Sequence, residues 1–178
     1  MSQIADDARQ VLEMALQNEL KGREILEQAK ENVENPLAKA TFDFLAHEED
    51  KHIAIIKQFA SGLTGEQELD MAELTTLTTP EAKQRIRSIF ERFRVAFEEV
   101  SATDQPRLEA YRVAMDMERA GHDFYKRAAL QASDEKSRRL YEFLAGEEIK
   151  HFELIQDTHD FLQQPDALLA VEERWMQV

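Results

Sequence analysis

Phe44–His52 reads FLAHEEDKH, and Phe143–His151, 99 residues further on, reads FLAGEEIKH. Seven of the nine positions are identical, too many for chance in a chain of 178 residues. The same offset carries Glu19 onto Glu118, Gly22 onto Gly121, Ala29 onto Ala128 and Ile56 onto Ile155. A long segment is therefore duplicated, and each copy contains a phrase that ends Glu-x-x-His.

Around each phrase apolar residues recur at helical spacing. Ile4, Ala8, Val11, Ala15, Gly22, Ile25 and Ala29 predict a first helix over 4–33. Asn35 and Pro36 supply the N-cap and first position of a second, running to about Ala60, with Thr41, Leu45, Ile56 and Phe59 on one face. In the second copy a third helix is expected from about Pro106 to Ala132. A fourth, capped by Ser133, ends before Pro165.

Residues 61–103 read as a long crossover, turn-rich at first and then amphipathic after a Thr79 cap and Pro80. Its Ile86, Ile89, Phe90, Phe93 and Phe97 need a partner surface, either the bundle or a second subunit, and a homodimer is the expectation. The predicted class is all-α: a ferritin-like four-helix bundle made of two duplicated hairpins joined by a crossover with its own helix. One domain is expected over 1–178, with hairpins at about 4–60 and 104–162 and a tail at 163–178.

Composition agrees with long helices and narrows the function. Gly (5) and Pro (4) are scarce. No run of 18 apolar residues is present, so no membrane span is expected. No basic segment leads into an apolar one at the N-terminus, which makes the cytoplasm the expected location. A net charge of −14 opposes binding to nucleic acid or an anionic membrane and suits cations. The absence of cysteine excludes disulfides, thiolate-bound zinc and iron–sulfur clusters.

The duplicated residues include charges where a core is expected. Glu19 is in register with Ala15, Gly22 and Leu26, and Glu118 with Tyr111, Ala114, Gly121 and Tyr125. Glu49 and His52 lie about 60° apart on their helix, in line with Leu45 and Ile56, and Glu148 and His151 repeat this between Leu144 and Ile155. Burying an unpaired carboxylate costs several kcal/mol. No Lys or Arg occupies the neighbouring core positions, so two divalent cations are the natural counter-charge. Two helices giving Glu and two giving Glu-x-x-His are the donor set of a dinuclear carboxylate site inside a bundle. A single such motif is usually a surface i,i+3 pair; two, each 30 residues after an in-register Glu, are not so easily dismissed. Mixed carboxylate and imidazole donors suit iron or manganese better than calcium.

With Glu19, "EEDKH", Glu118 and "EEIKH" in place, the chain resembles the rubrerythrin branch of the ferritin-like superfamily across both hairpins. The resemblance implies two iron ions, or manganese or a mixed pair, with Glu49 and Glu148 bridging. Glu19 and His52 would complete one metal's ligands, and Glu118 and His151 the other's. It also implies reduction of hydrogen peroxide or dioxygen, an oxidative-stress role. Wider relatives oxidise or store iron, which is the alternative. Two departures stand out. The rubredoxin domain with its four cysteines is missing, so electrons must come from an external donor protein. Gly121 stands where rubrerythrins carry a seventh carboxylate, so the set of six is closer to bacterioferritin-type sites.

Several neighbours are candidates to tune such a site. His122, one turn after Glu118, either reaches a metal or is a rim histidine. Tyr125 and Tyr141, two turns from Glu118 and Glu148, either hydrogen-bond a ligand or are ordinary core tyrosines. Glu48 and Glu147 are either outward charges or partners of an imidazole on the opposite helix. His47 and His159 are expected at the surface.

Overall fold

The structure, a computed structural model, describes residues 2–63 and 108–163. Four helices make up these segments: α1 Ser2–Asn32, α2 Pro36–Leu63, α3 Leu108–Gln131 and α4 Glu135–Gln163. The expected crossover, its helix and the tail lie outside the described residues.

Why these limits hold is visible at the caps. Asn35 Oδ1 accepts from the amides of Leu37 (2.8 Å) and Ala38 (3.3 Å), so α2 starts at Pro36 as expected. At α4 the cap is Asp134, not Ser133: Asp134 Oδ1 accepts from the Ser137 amide at 2.9 Å. Against the upward push of burial, these N–H groups hold the Asp134 carboxyl below its usual range. A carboxylate serves both the open donors and the positive helix end, which a hydroxyl cannot.

The buried stripe of α1 is Leu12, Ala15, Glu19, Leu26 and Ala29, with Gly22 also buried, and Val33 continues it just past the helix end. Steps of three and four alternate along it without interruption, and α3 repeats them through Tyr111, Ala114, Glu118, Tyr125 and Ala128. This seven-residue period packs helices nearly side by side, each stripe facing the bundle axis. Val11 and Ile25, expected on the core face, are only half-buried, because the stripe is centred on Leu12 and Leu26.

The core divides into two apolar clusters. One gathers Leu12, Ala15, Ile56, Phe59, Tyr125, Leu140 and Leu144. The other gathers Leu26, Phe42, Leu45, Tyr111, Leu154 and Ile155. Residues early in α1 and α4 share the first cluster with residues late in α2 and α3, so each hairpin is antiparallel and so are α1 and α3. Each buried large apolar side chain contributes about 1.5–3 kcal/mol. Between the clusters lies a layer of buried charge, which those contributions must offset.

Candidate metal centre

Every residue of that layer comes from the duplicated positions. Glu19, Glu49, His52, Glu118, Glu148 and His151 are all at most 5% exposed. A ligand atom from each of Glu49, His52, Glu148 and His151 lies within 4.8 Å of the others. Glu19 and Glu118 join from α1 and α3. His52 Nδ1 is 3.0 Å from Glu19 Oε2, 3.4 Å from Glu49 Oε2 and 3.3 Å from Glu148 Oε1. His151 Nδ1 is 3.5 Å from Glu118 Oε2 and 3.2 Å from Glu49 Oε1. Each imidazole thus faces the Glu of its own hairpin and a Glu of the opposite hairpin. The duplication appears in space as an approximate twofold axis through the cluster.

Hydrogen bonds do not satisfy this layer. Both oxygens of Glu118 and Oε1 of Glu148 are buried without a hydrogen-bond partner among the described residues. The 3.3 Å approach of His52 to Glu148 is close enough for an ion pair but is not aligned as a hydrogen bond. Orphaned buried oxygens are costly. A cation among them removes the cost: two donors bonded at right angles to one ion at roughly 2.0–2.2 Å stand about 3 Å apart. The observed nitrogen–oxygen separations fall near that spacing, so the residues fit a dinuclear site.

Without cations the layer holds protons. Burial, reinforced by the charges of Glu49 and Glu148, pushes the Glu19 carboxyl well up. Burial also raises Glu118, against the attraction of His151. Glu49 goes the other way: burial opposes its ionisation, but hydrogen bonds with Glu19, His151 and His52 hold it well below the usual range. Both imidazoles are raised although burial opposes their charge, His52 by Glu148 and Glu19 and His151 by Glu118 and Glu49. Glu19, Glu118 and the two imidazoles thus favour their protonated forms in the space that cations would neutralise.

The expected neighbours divide. The Tyr125 hydroxyl donates a short hydrogen bond to Glu19 Oε1, and burial followed by the charge of Glu19 raises that phenol well above its ordinary value. Tyr141 stacks on Tyr125 at 6.4 Å, and burial raises it to about 12; among the described residues it makes no hydrogen bond to the six clustered Glu and His side chains. His122 does not turn toward the cluster: its Nδ1 pairs with the Ala145 carbonyl at 2.8 Å. Glu48 and Glu147 fit neither expectation. They are buried at 1% and 5%, yet each pairs within its own helix, with Lys51 at 2.8 Å and Lys150 at 2.5 Å. Each buried carboxylate is thus paired with a lysine one turn on whose own side chain stays partly exposed. His47 is exposed, whereas His159 is half-buried against the Tyr111 ring at 5.3 Å.

The glycines at the repeat-equivalent positions have different neighbours. A Cβ on Gly121 would run into Glu148, 3.1 Å from Cδ and closer still to Oε2. A Cβ on Gly22 would meet Met117 Sδ at 3.1 Å and Glu49 Cδ at 4.0 Å. The absent side chain at 121 makes room for the Glu148 carboxylate.

Residues 10–159 match the family model described as Rubrerythrin. A solved hypothetical protein from Pyrococcus furiosus has the same fold, with a TM-score of 0.59 at 19% identity over 88% of this chain and 90% of that one. No curated protein matches the chain. Among the described residues no helix is long and apolar enough to cross a membrane.

Proposed function

The chain belongs to the rubrerythrin family, and from that premise we propose that it is a non-haem di-iron oxidoreductase that reduces hydrogen peroxide or dioxygen. The observation that carries this reading is the pseudo-symmetric set of six buried donors with unsatisfied oxygens. Bound there, two iron ions would supply two electrons, enough to reduce peroxide to water or dioxygen to peroxide.

The side chains would divide the work. Glu49 and Glu148, each facing an imidazole of the opposite hairpin, are the residues to bridge. Glu19 with His52, and Glu118 with His151, would hold one ion each. The Tyr125 hydroxyl orients Glu19 by donating to one of its oxygens. The protons gathered on Glu19, Glu118 and the imidazoles leave as cations enter, so loading releases acid. Burial to at most 5% exposure limits the contact of the six side chains with bulk water to the α1–α3 side. These 178 residues contain no cysteine and so hold no thiolate-bound iron to feed the centre, and an external donor protein would supply the electrons.

Anaerobic loading with ferrous iron, then rapid mixing with peroxide or dioxygen, tests the proposal. Two irons per chain and faster oxidation by peroxide are expected. A second reading, a ferroxidase, is favoured by Gly121, where Glu148 occupies the space of a seventh carboxylate. Faster oxidation by dioxygen, with ferric iron released and further ferrous iron consumed, would support that reading and count against the peroxidase.

A further inference from the structure

A buried site has to be filled from somewhere. The cluster is closed between α2 and α4, where the rings of His52 and His151 stack at 5.2 Å and 13°. Between α1 and α3 it is open. A cavity of about 380 Å³ lies in that seam, and Glu19, Glu49 and Glu148 form its floor. Both duplicated glycines line it, and they act differently. Gly121 admits the Glu148 carboxylate, whereas Gly22 leaves room for the Met117 thioether beside Glu49.

Met117 is the repeat equivalent of Asn18, and both residues line the seam. Asn18 is exposed at its mouth, with Lys21 and Asp116, while Met117 is half-buried deeper in. Lys21 and Asp116 oppose each other in charge, so the pull on a cation comes from the carboxylates below and the net charge of −14. On the way in, the Asp116 carboxylate and the Asn18 amide oxygen can replace lost water one ligand at a time. A methionine side chain has three rotatable bonds and swings aside at little cost, which suits a gate.

We propose that the α1–α3 seam is the port by which a divalent cation reaches the dinuclear site, with the Met117 thioether as its gate. The proposal rests on the dinuclear reading above. It makes a kinetic claim: residues of the seam alter the barrier, not the bound state, so they change entry and exit equally.

Cobalt(II) is the probe, because its uptake and its removal by excess chelator are both followed by visible absorption. Val113 lines the mouth, is 41% exposed and is not one of the six donors, so Val113→Trp narrows the port without entering the core. Loading and stripping are expected to slow together by about tenfold, with unchanged equilibrium affinity. Met117→Ala is expected to speed both. Unaltered rates in both variants would overturn the port. So would a change in affinity carried by stripping alone, since that places the effect in the bound state. Failure of the unmutated protein to take up cobalt would instead remove the dinuclear reading, and the port with it.

Discussion

Gly121→Ala and Gly22→Ala are the same change at repeat-equivalent positions, and the structure gives them opposite consequences. Each replaces a glycine inside a helix, which by propensity alone stabilises by about 0.5–1 kcal/mol. At Gly22 the new methyl meets Met117 Sδ at 3.1 Å, and that thioether is the movable end of a flexible side chain. The contact yields, so most of the propensity gain remains. At Gly121 the methyl stands 3.1 Å from Glu148 Cδ and overlaps Oε2. That carboxylate is hemmed in by His52 Nδ1 at 3.3 Å, and forcing such an overlap costs about 1–3 kcal/mol. The apo Gly121→Ala protein should therefore be no more stable than the parent and up to about 2 kcal/mol less stable. The sharper effect is on metal. Displacing a ligand from its seat typically weakens binding about 10–100-fold. Thermal melts of the two apo variants and calorimetric titration with manganese or ferrous iron measure both quantities. Gly22→Ala should bind like the parent and Gly121→Ala should not. Parental affinity in Gly121→Ala would refute the assignment of this space to Glu148.

Two further outcomes are expected. Glu19, Glu118, His52 and His151 all bind protons more tightly folded than unfolded, so their stabilisation is complete below their unfolded pKa values and lost as pH rises through the folded ones. Glu49 acts oppositely, but only in acid below the usual carboxylate range. The apo melting temperature should thus fall as pH rises above the ordinary carboxylate value of about 4.3, and fall further past the ordinary imidazole value of about 6.5. Cations should reduce the fall and stabilise by about 3 kcal/mol at a hundredfold excess over Kd, and equal slopes with and without metal in differential scanning calorimetry would contradict this. Tyr125→Phe leaves Glu19 Oε1 buried without its donor and should cost about 1–3 kcal/mol in chemical denaturation, whereas Tyr141→Phe, with no such bond among the described residues, should stay within about 0.5 kcal/mol.

Much of this molecule is legible in one dimension because its signals are periodic and duplicated. Helix limits follow from local rules: Asn35 and Pro36 begin α2 wherever it lies in space. The convergence of the six buried Glu and His residues is legible because a carboxylate in register with apolar residues conflicts with burial, and the 99-residue offset repeats the conflict. What could not be read depends on how far each helix turns about its own axis and on what the facing helix presents. Ser133 and Asp134 differ by one position, and only the geometry of the turn selects the carboxylate. His122 sits one turn from a donor, yet its ring goes to the Ala145 carbonyl of the neighbouring helix. Glu48 and Glu147 have the charge of a surface residue, and their burial becomes affordable only because a lysine three residues on pairs with each. Gly22 and Gly121 are one letter in one register, and their roles separate because Met117 faces the first and Glu148 the second. A repeat can specify which residues converge; the packing of one helix against another sets what each of them touches.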